Sequence, residues 1–516
     1  MNRFKLLLLL ILGLSTFGCS DLQEEPIGIL VPETFFTDVA SVESARNGIY
    51  ARMHHRFFLA RETSIQIMLR SDMVDIGNLG TRQERIDHNN FNDIADNGNT
   101  LVSWGAMWDI VSACNLTIFG ASIASGDEDE LNLLSGQAHF IRAMTYYHIV
   151  RQFGPVIYID EPVSDVAALS SAFPNSVEEI YSEIISDLEF AKSVLPNTVS
   201  NKSVPSRAAA SAYLASVYLT TGDYANALAE AEEVIGRSID DGDGTYALGL
   251  EPDFQNLFHY ANVKNSLEPI FVLDYVGIVG INATNWYTDY LAPLTGIEGN
   301  FNGKQGGWTV MVPSFDVYDT WDGRDYRRAV SFDTTGTNQA GEIVDYTQFS
   351  TLDPLNSNRP HIAKYQRFAG ESDNIGAESR ASELDYLLMR YAEVLLIAAE
   401  AAVEMGDNNK AQTYLNRVRA RARNGAVDGD NVKYPPSSFP ADHFGSVTVE
   451  DVLEERRLEL AFEGKRWYDI IRRDLGQSVF SAAGLEGEKP GFVYPTDYLI
   501  PIPADEVLRN PNLSGG

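Results

Sequence analysis

Two stretches of this chain share one grammar, and that grammar leaves few folds open. In residues 383–402, Leu384, Leu388, Tyr391, Leu395, Ala398 and Ala402 recur at helical spacing. Val394, Ile397 and Ala401 widen the stripe, which predicts a helix buried on more than one side. Gly406-Asp407 ends it, and Ala411, Leu415 and Val418 mark a second helix after a short link. So short a link makes the two helices antiparallel and packed. Earlier in the chain, Ala212 to Leu219 leads to Gly222-Asp223, then Ala227, Leu228 and Val234. When the two Gly-Asp pairs are superposed, Ala227 falls on Ala411 and Val234 on Val418. Small residues there let two helices approach closely.

A hairpin of this kind leaves one apolar face uncovered, so copies stack on their neighbours. The pattern resembles tetratricopeptide repeats. The expected fold is therefore mainly α: a tetratricopeptide-like scaffold of helical hairpins, with an irregular loop-rich region carrying few short strands. The expected division is a signal peptide at 1–18, an acidic linker and N-terminal segment at 19–38 and a helical scaffold at 39–236. A loop-rich ligand-binding region follows at 237–380, then a helical hairpin and charged helix at 381–475 and a tail at 476–516.

Arg3 and Lys5 precede the apolar run Leu6 to Leu14, and Thr16-Phe17-Gly18-Cys19 follows. The run is too short to span comfortably and ends in small residues. It looks like a bacterial lipoprotein signal, with Cys19 the lipidated residue. Asp21, Glu24 and Glu25 then form an acidic stretch similar to a surface-export signal. Acyl chains on one cysteine anchor a chain without making it span. With Cys19 so used, Cys114 is alone and no disulfide framework is available. The formal net charge of −33 repels nucleic acid and argues against a phosphate-tracking role.

Further helices are expected at Val39 to His55, from Trp104, at Leu131 to Phe153, at Val177 to Leu195 and over Glu450 to Arg473. Trp104 and Trp108 share a helix face and read as core. His139 and His148 lack a metal-ligand spacing. Asp240-Asp241-Gly242-Asp243-Gly244 lacks the ligand series of a calcium loop and reads as an acidic turn. No metal or cofactor is expected. No Gly-x-Ser-x-Gly elbow, His-Glu-x-x-His helix or Walker loop occurs.

Between residues 237 and 380 helical periodicity fades and Gly, Asn, Asp, Thr and Tyr become frequent. Ile270 to Leu273 is an expected strand. After it, Trp286, Tyr287, Tyr290 and Trp308 sit among glycines and asparagines. Loops have little core to fill, so several aromatics there need an explanation: they meet a ligand, or some of them anchor the loop to the scaffold. Aromatic faces stack on the C–H faces of sugar rings, and carboxylates, amides and Arg pair with the hydroxyl rim. These four are the ligand-binding candidates. Asp72, Asn78 and Arg82, in the irregular stretch 60–100, are weaker polar candidates.

Several motifs in order resemble the SusD/RagB family of outer-membrane lipoproteins. The strongest are Leu388 to Leu396 with Ala399-Glu400-Ala401, and Glu455-Arg456-Arg457 through Glu459-Leu460 and Glu463-Gly464-Lys465-Arg466-Trp467 to Asp469. Phe35-Phe36, Arg142-Ala143, Asp322-Gly323-Arg324, Lys364-Tyr365 and Leu499-Ile500-Pro501-Ile502-Pro503 support them. Ala504 departs from the family, which often has Gln there. The resemblance implies a non-enzymatic, lipid-anchored protein on the outside of the outer membrane. Such a protein caps a TonB-dependent, SusC-like β-barrel transporter and passes oligosaccharides or other nutrients to it. Rival readings from other classes are an exported glycoside hydrolase, since acids are plentiful, and a helical-repeat adaptor that binds proteins alone.

Overall fold

The structure is a computed structural model that describes residues 32–277, 289–301, 304–349, 359–370, 382–424, 438–480, 489 and 491–515. The early helices are α1 (Val39–Met53), α2 (Glu62–Leu69) and, after strand β1 (Val74–Ile76), α3 (Gln83–Asn90). Then come the long helices α4 (Gly98–Ile123) and α5 (Glu128–Phe153), followed by α6 (Val177–Val194), α7 (Arg207–Thr221) and α8 (Tyr224–Gly236). Strands β2 (Pro269–Leu273), β3 (Met311–Pro313) and β4 (Tyr386–Arg390) punctuate the looser middle. Helices α9 (Tyr391–Glu404), α10 (Asn408–Ala422), α11 (Val449–Glu459) and α12 (Arg466–Arg472) close the scaffold.

From α4 to α10 each helix packs on the next, and α8 packs on α9 across the whole loop-rich insertion. That is the stacking of hairpins expected from the repeat. The two matched hairpins agree in detail. Gly222 and Gly406 both close their helices in the left-handed region, at φ 80° and 75°. The next residue in each, Asp223 or Asp407, accepts the backbone N–H three residues on, at 3.2 and 3.1 Å. Ala227, Ala411, Val234 and Val418 are all fully buried.

The strands form only two-stranded antiparallel pairs among the described residues. Three local readings are corrected, one of them a short strand that the apolar run Val156 to Ile159 suggests. Leu384 to Arg390 does not extend the helix: β4 pairs with β2, Tyr386 opposite Leu273, and α9 begins at Tyr391. A continuous apolar run fits a buried strand as well as a buried helix, and the partner strand decides. The charged helix over 450–473 is two helices, because Phe462 and Gly464 turn the backbone to φ 65° and 71°. Val156 to Ile159 forms no strand beyond a single bridge from Val156 to Asn175.

The charged motifs fall on one buried ion-pair network that ties scaffold to insertion. Arg390 donates through Nη1 to Glu268 at 2.7 Å and through Nε to Glu463 at 2.8 Å. Arg327 reaches Asp325, Glu455 and Glu459 at 2.8, 2.6 and 3.0 Å, and Lys364 reaches Glu463 at 2.8 Å. Burial alone would push the Glu459 carboxyl up, but Arg421, Arg390 and Arg327 hold it well below the usual carboxylate range. These charges hold helices and loops of the same chain together. His139 pairs with Asp187 at 2.6 Å, and Nδ1 of His148 shares a hydrogen bond with the Tyr468 hydroxyl at 2.9 Å, both structural contacts. Cys114 is buried and free, and burial raises its thiol pKa.

Candidate functional site

The site grows from the pairing of β1 with β3, in which Ile76 faces Met311. The ladder continues one step, with Gly77 N–H donating to Val310 O at 3.1 Å. A Cβ on Gly77 would lie 2.4 Å from Thr309 O, so only glycine permits this approach. The next residue, Asn78, is thereby laid beside Trp308. Its Nδ2 lies 3.5 Å from Trp308 O, and its Oδ1 accepts Gly80 N–H at 2.8 Å, which tightens the turn into α3.

From the other side, the 308–310 segment runs along the short helix Leu291–Thr295. Trp308 N–H donates to Pro293 O at 2.7 Å and Val310 N–H to Leu294 O at 2.9 Å. Trp308 is half-buried, and its ring lies 6.1 Å from that of Tyr290. Tyr290 is only 1% exposed, and Arg61 lies 4.7 Å from its ring centroid. Arg61 is in turn paired with Glu62 at 2.5 Å. Phe57, half-buried, lies next to this arginine at 5.9 Å.

Among the expected contacts, the structure thus brings Trp308, Tyr290 and Asn78 together. Tyr290 differs from expectation in one respect: its ring faces the core and underpins Trp308 instead of facing solvent. Arg82 is exposed and immediately precedes α3, one short turn from Asn78. Asp72 is elsewhere engaged, its carboxylate gripped by Arg466 at 2.9 and 2.8 Å. Burial would raise its pKa, but the Arg466 charge and hydrogen bonds bring it below the ordinary value. Trp286, Tyr287 and the lipidation candidate Cys19 lie outside the described residues. Sequence reasoning missed Phe57 and Arg61, which sit between two helices with no periodicity to mark them.

Trp104 is in the core and packs edge-on against Phe153 at 4.8 Å, while Trp108 is half-buried. Both also line a separate apolar groove of about 490 Å³, bounded by Val166, Leu169 and Leu513. Among the described residues no group of three or more His, Cys, Asp or Glu is arranged to hold a metal ion.

The profile of the SusD family matches residues 240–515, and one described as starch-binding, associating with the outer membrane, matches residues 31–219. SusD-like protein P2 of Formosa agariphila is 44% identical over 517 residues, covering 99% of each chain. A laminarin-binding SusD-like protein of known structure superposes with a TM-score of 0.75 at 21% identity, over 92% of this chain and 98% of its own. A SusD homologue from Bacteroides thetaiotaomicron gives a TM-score of 0.77 at 18% identity, over 93% and 97%. The hairpin scaffold, the buried charge network carried by the shared motifs and these matches agree, and the chain belongs to the SusD family.

Proposed function

We propose that this protein binds oligosaccharides, or another nutrient, outside the cell and delivers them to a TonB-dependent, SusC-like transporter of the outer membrane. The observation that carries the reading is Trp308: a half-buried indole on a segment that backbone hydrogen bonds tie to Pro293 and Leu294 on one side and to Gly77 on the other, with the ring of Tyr290 beside it. A fixed aromatic face, with the amide of Asn78 held against the same residue's backbone, suits a sugar ring, which offers apolar C–H faces and a hydroxyl rim. Trp286, Tyr287 and Arg82 are proposed to complete the contact. Tyr290 supports it from within, while Asp72, held by Arg466, is left out of the proposed contact.

The laminarin-binding relative supports a glycan as ligand. The proposed role is binding without turnover, since the residues named stack and hydrogen-bond. Cys19 would anchor the chain to the outer membrane by its acyl groups. The test is a glycan array with the detergent-solubilised full chain, followed by recovery from outer membranes. Specific retention of a glycan without product release, and co-purification of a large β-barrel, are expected. Release of shorter sugars would overturn the binding-only reading. Recovery of peptide ligands alone would favour an adaptor.

A further inference from the structure

The chain carries 72 acidic and 39 basic residues, yet the candidate site is flanked by arginines. Arg61 lies over Tyr290, whose ring neighbours Trp308. Beside Asn78, Thr81 N–H donates to Asn78 O at 3.1 Å, and Arg85 Nη1 donates to Thr81 Oγ1 at 3.0 Å. Arg82 stands between Thr81 and Arg85, exposed. So arginines lie beside the residues that adjoin both Asn78 and Trp308.

Among the described residues, these arginines outnumber the acids that act on them, Glu62 and Glu84. Arg61 and Arg85 are 8% and 7% exposed, and Glu62 is the carboxylate that attracts both. Burial lowers the pKa of both arginines; Glu62 raises each, while Arg56 depresses Arg61 further, and Arg61 and Arg82 depress Arg85. Glu84 contributes a smaller opposing charge to Arg85. The Nε atoms of Arg61 and Arg85 are buried and have no hydrogen-bond partner among the described residues. Like charges gathered out of water, with unused donors, carry a cost that an arriving anion would relieve.

We propose, resting on the glycan-binding reading above, that this site selects a polyanionic glycan, one whose sugar rings bear carboxylate or sulfate groups. The ring stacks on Trp308 and the anion is met by Arg82, with Arg61 and Arg85 supplying the positive field from beneath. A guanidinium fork matches both anions with paired N–H donors. The strongly acidic remainder of the chain would repel such a polymer, so a seat for it has to be locally cationic.

The experiment is titration calorimetry of the full chain in detergent with polygalacturonate, the same polymer after carboxyl reduction, a sulfated galactan and laminarin. Each is run at ~20 mM and ~500 mM NaCl, on either side of the salt range over which exposed charges become screened. Binding to polygalacturonate or the sulfated galactan is expected, weakened about tenfold or more by high salt and by Arg82→Gln, since charge-assisted pairs are the strong ones. Retention of polygalacturonate but not of its reduced form assigns the carboxylate; retention of the galactan assigns the sulfate. Arg82 is exposed, so an unchanged melting temperature keeps its variant interpretable. Salt-insensitive binding to laminarin, unaffected by Arg82→Gln, overturns the anionic proposal and leaves the glycan reading intact. Polyanion binding that both Arg82→Gln and Arg82→Glu leave unchanged moves the anion elsewhere and overturns it too. Binding to none of the four polymers overturns both readings.

Discussion

Nδ2 of Asn78 lies 3.5 Å from the carbonyl oxygen of Trp308, a contact spanning 230 residues of chain. Neither residue lies on a regular element. They meet because β1 and β3 pair, and because Gly77 lets the two backbones continue side by side past the end of the ladder. The proposed ligand seat is therefore set by backbone hydrogen bonds of the flanking segments.

Trp308 and Tyr290 are adjacent rings with different tasks, and substitution separates them. Trp308→Ala is expected to weaken glycan binding about tenfold and to cost less stability than the change at Tyr290, since a half-buried aromatic gives up only part of its packing. Tyr290→Ala empties a buried site and is expected to cost about 3 kcal/mol of folding stability. Calorimetric titration and urea denaturation of both variants check this. Equal stability losses would place Trp308 in the core instead.

The matched hairpins predict matched effects. A Cβ at Gly222 or Gly406 would meet nothing within 4 Å, so steric crowding is not at issue. The left-handed backbone at each is, and Gly222→Ala and Gly406→Ala are each expected to cost about 1 kcal/mol. Equilibrium unfolding measures both. A cost several times larger at one site would mean that the two turns are not equivalent.

Glu459 is fully buried and neutralises Arg390, Arg327 and Arg421 together. Glu459→Gln leaves those guanidinium groups undercompensated and is expected to cost about 3 kcal/mol or more. Arg509→Gln breaks a surface pair with Glu506 and is expected to change stability by less than about 0.5 kcal/mol. Denaturant midpoints compare the two. The depressed Glu459 pKa adds a pH signature: its stabilisation is present above the ordinary carboxylate range and is lost as pH falls through and below it.

Asp385 shows the opposite sign. Burial, and the neighbouring Asp274, push its carboxyl up to about 7 although Lys264 lies 3.2 Å away. Between its unfolded value near 4 and about 7 the folded state holds more protons than the unfolded, so this group makes stability fall as pH rises. Asp385→Asn is expected to stabilise the protein by about 1 kcal/mol or more at pH ~8, and to change it less at pH ~5. Melting curves at the two pH values test this. An unchanged pH profile would place the Asp385 pKa in the ordinary range.

The hairpins were legible in advance because their signals are local. Gly406-Asp407 stops one helix and caps the next within a few residues, and the small residues at Ala227 and Ala411 sit where helices must touch. The charged motifs were legible as a pattern, but the helix break at Phe462 was not, since nothing in the spacing marks a non-glycine residue that takes a positive φ.

By itself, then, the sequence determined the helical repeat, its bends and its caps, because those depend on neighbours within about one turn of helix. Tertiary structure decided the rest. Tyr386 to Arg390 became a strand only because Pro269 to Leu273 lay alongside to take its hydrogen bonds. Tyr290 turned inward beneath Arg61, Asp72 was claimed by Arg466, and Asn78 met Trp308, all through contacts hundreds of residues apart in the chain. Exposure and partnership of a loop side chain are properties of what packs beside it, and no periodicity records that.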